Sequence, residues 1–145
     1  MRIIAMSEQE CSELLKRVSF GRLACSLDGQ PYVVPVDFSY EPDCIYIFST
    51  VGKKIEWMRQ NPKVCLQADE IGNRANWLSV IVTGTFLELR EYSAGREHGL
   101  EQLARYSQYW QNPLAERREQ TSDLSIELVF FRIDIKSMSG LRATE

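Results

Sequence analysis

Ser49-Thr50-Val51-Gly52-Lys53-Lys54 is the stretch of this chain best equipped to hold an anion. Hydroxyls and a glycine close an apolar run, and two lysines follow where a helical pattern begins. Free amides at a helix start and the helix dipole attract negative charge, hydroxyls donate to it, and ammonium groups add charge. That combination suits a phosphate. Just upstream, Pro35-Val36-Asp37-Phe38-Ser39-Tyr40 reads as a strand. A phosphorylated cofactor held at the lysines would lay its flat part along this strand. Each half has a plainer alternative: paired lysines on a helix commonly just face water, and a proline in a strand commonly marks an edge. The residues alone leave both readings open.

Other chemistry finds little support. His98 is the one histidine, and its neighbours Glu97 and Gly99 put it on a helix surface, which favours a solvated side chain over a catalytic base or haem ligand. No Gly-x-Ser-x-Gly, paired-histidine, Walker-type or Gly-x-Gly-x-x-Gly sequence occurs, so hydrolase, triphosphatase and dinucleotide fingerprints are missing. Asp69-Glu70 is a carboxylate pair, but adjacent strand residues point to opposite faces, which argues against a shared proton. Cys11, Cys25, Cys44 and Cys65 are widely spaced with no histidine nearby, so neither zinc nor disulfides are expected. They read as buried reduced thiols. No residue stands out as a catalytic acid, base or nucleophile. Of Trp57, Trp77 and Trp110, only Trp77, which opens a strand after a polar loop, is a candidate to contact a ring.

These residues must be positioned by a mainly β scaffold with flanking helices. Ser7-Glu8-Gln9-Glu10 is a capping box, Met6 and Cys11 stand at staple positions, and Cys11, Leu14, Leu15 and Val18 give the following helix one apolar face. Gly21–Leu27 alternates, Asp28-Gly29 signals a two-residue hairpin, and the return strand puts Tyr32, Val34, Val36, Phe38 and Tyr40 on one face. Val33, Pro35, Asp37 and Ser39 take the other. Pro42-Asp43 turns into a third strand, Cys44–Ser49, and Lys53–Gln60 is a short helix with Ile55 and Met58 inward, ended by Asn61-Pro62. A fourth strand covers Lys63–Asp69, a polar loop Asp69–Asn76, and a long fifth strand Trp77–Leu89, in which Thr83-Gly84-Thr85 suggests a bulge. A second helix over Ser93–Trp110, a polar connection over Gln111–Asp123 and a closing strand over Ile126–Ile135 complete the chain. Six strands in meander order predict a small closed barrel.

At 145 residues the chain is expected to be one domain, 1–145. Its hydrophobic fraction of 44%, charged fraction of 26% and net charge of −3 suit a soluble protein and argue against affinity for nucleic acid or anionic membrane. The first residues carry no long apolar run, so neither a signal peptide nor a membrane span is expected, and the thiols favour the cytoplasm.

Gly21-Arg22-Leu23-Ala24, Tyr32-Val33-Val34-Pro35-Val36, Tyr46-Ile47-Phe48-Ser49, Gly52-Lys53-Lys54, Asn61-Pro62-Lys63-Val64 and Trp77–Gly84 occur in that order. The ordered set resembles the pyridoxamine 5′-phosphate oxidase-like flavin-binding proteins, and within them the branch that includes the nitroimidazole-resistance proteins. The resemblance runs from about Met6 to Arg90 and returns at Phe131-Arg132-Ile133. It implies a six-stranded antiparallel split β-barrel that forms a homodimer with FMN at the subunit interface. It assigns Ser49, Thr50, Lys53 and Lys54 to the FMN phosphate and lays Val34, Pro35, Val36 and Asp37 along the isoalloxazine ring. Trp77 and Ser79 approach the cofactor from a following strand, in the same subunit or the partner. The activity implied is an FMN-dependent oxidoreductase that reduces a small acceptor such as a nitroaromatic using NAD(P)H. A non-catalytic flavin or haem carrier on the same fold is the alternative. The strongly basic substrate-phosphate site and C-terminal segment of the vitamin-B6 oxidases have no counterpart here, where the chain reads Met138-Ser139-Gly140-Leu141-Arg142.

Overall fold

The computed structural model describes residues 1–90, 95–104 and 128–145. Along these residues the chain runs β1 (Arg2–Ala5), α1 (Glu8–Arg17), β2 (Phe20–Leu27), β3 (Gln30–Glu41), β4 (Cys44–Thr50), α2 (Lys53–Gln60), β5 (Lys63–Asn73), β6 (Asn76–Glu88), α3 (Arg96–Ala104) and β7 (Leu128–Thr144). All pairings are antiparallel. The seven-stranded sheet has the order β1-β7-β4-β3-β2-β5-β6, and β6 pairs back onto β7. Strands β2 to β7 therefore close the expected six-stranded ring. β1 is an addition outside it, laid along the end of β7 from Arg2↔Thr144 to Ala5↔Leu141. Four residues whose partner lies at the other end of the chain carry no local signal of their own.

The local expectations for the first half hold because short-range chemistry dictates them. Ser7 Oγ accepts from the Glu10 amide (3.1 Å), and Glu10 Oε1 accepts from the Ser7 amide (3.3 Å), which closes the capping box of α1. Leu14 and Leu15 of that helix are completely buried, a burial worth about 1.5–3 kcal/mol each. At the β2–β3 turn Asp28 and Gly29 both have positive φ (50° and 80°), as a tight hairpin requires. Ile55 and Met58 of α2 are buried in the same core as Leu14, Phe38, Leu66 and Phe131.

Three boundaries differ from the sequence reading. The expected polar loop over Asp69–Asn76 is a hairpin: β5 runs on to Asn73, and Asn73 Oδ1 accepts from the Ala75 amide (2.8 Å) to shape the turn. Its residues are polar because this tip projects beyond the core, where Ile71 is 67% exposed. The closing strand extends nine residues past Ile135, to Thr144, and β6–β7 pairing shifts register between Thr83 and Gly84. Thr83 pairs with Ser137 and Gly84 with Ile135, so Lys136 is an extra residue. The bulge expected at Thr83-Gly84-Thr85 is real, and it hides the continuation of β7 by breaking the period of two. The helix expected over Ser93–Trp110 is described only as Arg96–Ala104. Gly95 is a turn residue, while 93–94, 105–110 with Trp110, and the connection over Gln111–Asp123 lie outside the described residues. Two thiols also differ: Cys11 and Cys25 are buried, but Cys44 and Cys65 are only half-buried, and all four are free.

Gly84 packs so tightly that a Cβ there would stand 2.7 Å from Ile133 Cγ2 and closer still to the Asp134 carbonyl oxygen. Gly84→Ala is therefore expected to destabilise the fold by about 1–3 kcal/mol, read as a lower urea midpoint. An unchanged midpoint would show that the β6–β7 bulge yields freely.

Candidate functional site

β3 belongs to two partners in turn. It pairs with β2 from Gln30 to Asp37 and with β4 only from Phe38 to Glu41. Phe38 N–H donates to the Ser19 carbonyl (2.8 Å), so even-numbered amides of β3 face β2 and odd-numbered ones face away. Along Gln30–Asp37 that outer edge pairs with no strand among the described residues. Pro31 and Pro35 fall on it, where a missing N–H costs the β2–β3 ladder nothing. Val33 and Asp37 supply its amides. Pro35 does mark an edge, and along Gln30–Asp37 that edge is open among the described residues.

Across the opening stands the end of β4. Continuing the β3–β4 register past Phe38↔Ile47 would set Phe48 opposite Asp37 and Thr50 opposite Pro35. α2 begins three residues after Thr50. Its N-cap, Gly52, offers no side-chain cap, so the first-turn amides have no side-chain acceptor there. The topology therefore gathers Val34 to Asp37, Ser49, Thr50, Lys53 and Lys54 around one split. Their side chains are less uniformly arranged. Ser49 points into the barrel, is buried, and donates to the Thr50 carbonyl (3.3 Å). Lys53 is exposed, with Nζ over the Tyr32 and Trp57 rings at 4.9 and 4.7 Å. Lys54 is half-buried and close enough to Cys25 to oppose the rise in thiol pKa that burial causes.

Asp37 is half-buried on the open edge with no hydrogen bond or ion pair among the described residues. Burial holds its carboxyl above the usual carboxylate range.

Trp77 and Ser79 lie elsewhere on the chain's surface. β3 and β6 stand three strands apart in either direction around the ring, roughly 14 Å along the sheet. Ser79 Oγ accepts from Gln67 Nε2 (3.1 Å), which also donates to Asp69 Oδ2 (3.0 Å); Arg22 Nη1 bonds the same oxygen at 3.2 Å. This network sits on the outer face of β2, β5 and β6 among Ile3, Phe20, Ile71, Ile81 and Leu141, each 45–67% exposed. Sequence reasoning missed this patch, although the odd-numbered apolar residues of β5 and β6 were its signal. Asp69 and Glu70 do point to opposite faces: Glu70 pairs with Arg17 at 2.9 Å. His98 is exposed as expected, yet its Nε2 meets Glu41 Oε1 at 2.6 Å, joining α3 to the β3–β4 hairpin.

Comparison with known proteins agrees with this architecture. The family model described as pyridoxamine 5′-phosphate oxidase matches residues 7–142. The chain belongs to that family. An uncharacterised protein of Rhizobium meliloti (strain 1021) is 35% identical over 147 residues, covering 99% of this chain and 97% of its own. The crystal structure of a Mesorhizobium loti protein named FAD-binding has 38% identity and a TM-score of 0.81, covering 100% of this chain and 99% of that one. A Bacteroides thetaiotaomicron protein, provisionally named a 5-nitroimidazole antibiotic resistance protein, has 21% identity and a TM-score of 0.70 over 99% and 92% of the two chains. At that identity the likeness shows the fold alone. The family's split barrel is the ring described above, with its opening between β3 and β4. Among the described residues no helix is long and apolar enough to cross a membrane.

The raised pKa of Asp37 has a thermodynamic sign. A carboxyl held neutral by the fold costs nothing below its unfolded value of about 3.9, and destabilises once the pH has risen through its folded value. Asp37→Asn should therefore raise the urea midpoint of the flavin-free protein at pH 7, and the gain should vanish as the pH falls below about 4. Equal midpoints of the two proteins at pH 7 would contradict this account.

Proposed function

We propose that this chain is a homodimeric FMN-dependent oxidoreductase that reduces a small acceptor, such as a nitroaromatic, with electrons from NAD(P)H. The observation that carries this reading is the open edge of β3 opposite Thr50 and the uncapped start of α2. A phosphate held there would accept from the first-turn amides and from the Thr50 hydroxyl, with Lys53 and Lys54 supplying charge. Lys53 would leave its position over Tyr32 and Trp57, an exposed cation–π contact of modest worth, about 0.5–1 kcal/mol. A planar ring along Val34 to Asp37 would take hydrogen bonds from the edge amides of Val33 and Asp37. When bound, the flavin supplies the electron chemistry, so the protein need only orient the ring and tune its potential. That division suits a site where the one carboxyl on the open edge is Asp37. The Mesorhizobium loti relative is named for FAD, so the identity of the flavin is itself part of the test.

The apolar outer face supports the dimer. Ile3, Phe20, Ile71, Ile81 and Leu141 lie on neighbouring strands and form a patch of the kind that marks an association surface. Trp77 and Ser79 border it, opposite β3 in the ring, so they would meet the ring held on β3 only if a second copy brought them there.

The first test is the visible spectrum of the purified protein, followed by heat release and chromatography of any flavin. FMN is expected, in a protein that elutes as a dimer. Lys53→Ala/Lys54→Ala should weaken FMN binding at least tenfold, since charge-assisted hydrogen bonds are worth about 1.5–3 kcal/mol. Unchanged affinity would remove the phosphate assignment. NAD(P)H consumption with nitroaromatic acceptors no faster than with free FMN would reduce the protein to a flavin carrier, and a single intense Soret band would make it a haem protein.

A further inference from the structure

A second site lies on the outer face of the barrel at the β6–β7 bulge. A groove of about 490 Å³ is lined by β2, β3, β5, β6 and the extra residue of β7. Its floor is small or hydroxylated: Ala24, Ser26, Cys65, Thr83, Gly84 and Thr85. Among the described residues its two charged lining residues are Lys63 and Lys136, and no carboxylate lines it. Neither lysine takes part in an ion pair among the described residues. In a chain of net charge −3, a groove with two cations and no acid is a local inversion of sign.

The bulge creates this arrangement. Ile135 and Met138 both pack against the core, so the strand fits two residues between them where strict alternation allows one. Lys136 and Ser137 are consequently both exposed, side by side. Lys63 pairs with Thr85 on the other side of β6. The two lysines therefore flank β6 from its two neighbouring strands, roughly 10 Å apart at the backbone, close enough for flexible side chains to meet on one bound group.

We propose that this groove binds a small molecule carrying a carboxylate or phosphate group, clamped between Lys63 and Lys136 and hydrogen-bonded by the hydroxyls of Ser26 and Thr85. The site is separate from the split: none of Ser49, Thr50, Lys53 and Lys54 lines it. On β6 it lies on the far side of Ile81 from Trp77 and Ser79. The proposal does not rest on the flavin reading.

The test is an amide NMR titration of the ¹⁵N-labelled protein, as purified, with inorganic phosphate and separately with succinate at constant ionic strength. Saturable shifts are expected at Ser26, Cys65, Thr83 and Thr85 with at least one of the two, and the responding anion tells phosphate from carboxylate recognition. In Lys63→Gln/Lys136→Gln the half-saturating concentration should rise at least tenfold. Both side chains are exposed, so this variant should keep the wild-type spectrum elsewhere. Any phosphate response at Lys53–Ile55 reports the split instead and should survive the double substitution, which keeps the two sites distinguishable. The proposal falls if neither anion gives a saturable response, if the double variant binds as well as the wild type, or if a partner copy covers these amides and neither anion reaches them.

Discussion

β4 is held by β7, and the rest of the site depends on that commitment. Seven consecutive residues of β4, Cys44 to Thr50, pair with Asp134 to Leu128, whereas only four pairs join β4 to β3. β3 is tied for eight residues to β2. Two neighbouring strands thus follow different partners, and past Phe38 they separate. The split is a result of unequal pairing, needing no insertion and no special loop. β7 can command β4 because it is paired on both edges from Phe131 to Asp134, with β6 on the other side. Successive residues of that stretch bond alternately to β4 and to β6, so both edges of β7 are engaged there.

The two sides of the split are finished differently. On the β4 side, Tyr46 stacks on Phe130 with ring centroids 6.2 Å apart and interplanar angle 3°, and both are buried with Leu89 in a small cluster outside the main core. α3 packs beside it, and His98 reaches Glu41 from that helix. Burial and a hydrogen bond with Cys44 push the Tyr46 hydroxyl well above the usual tyrosine range, so it stays neutral. On the β2 side no described element covers the outer face, and Phe20 is 52% exposed beside Asp37 in register. One wall of the split is therefore packed beneath a helix, and the other is open among the described residues.

What the sequence made legible was whatever short-range chemistry controls. The capping box of α1, the Asp28-Gly29 turn, the limits of α2 and the inward set of β3 all follow from residues a few positions apart. The junction of β4 with α2 was legible for the same reason, since Ser49 to Lys54 are contiguous. The burial of Ser49 was not, because it depends on which face of β4 meets the core. β1 escaped notice because its partner is Leu141–Thr144, and the far half of β7 because Lys136 interrupts the alternation. The outer face was equally hidden. Gln67, Asp69, Ser79 and Arg22 come from three strands and become a network only once the register is known. Lys63 and Lys136 are likewise unremarkable in the chain and significant only as neighbours of the same strand.

The prolines of β3 have a consequence for what can enter the split. An unpaired strand edge is ordinarily a template on which another polypeptide adds a strand, the first step of both peptide capture and aggregation. That growth needs an unbroken alternation of donors and acceptors. Here Pro31 and Pro35 bracket Val33, so of three successive outward positions only the middle one can donate. A peptide laid along this edge would leave its own carbonyls facing two blank nitrogens. A compact planar molecule that needs one or two donors has no such difficulty. The same two residues thus keep the groove open and deny it to the commonest unwanted guest, another copy of the protein's own backbone.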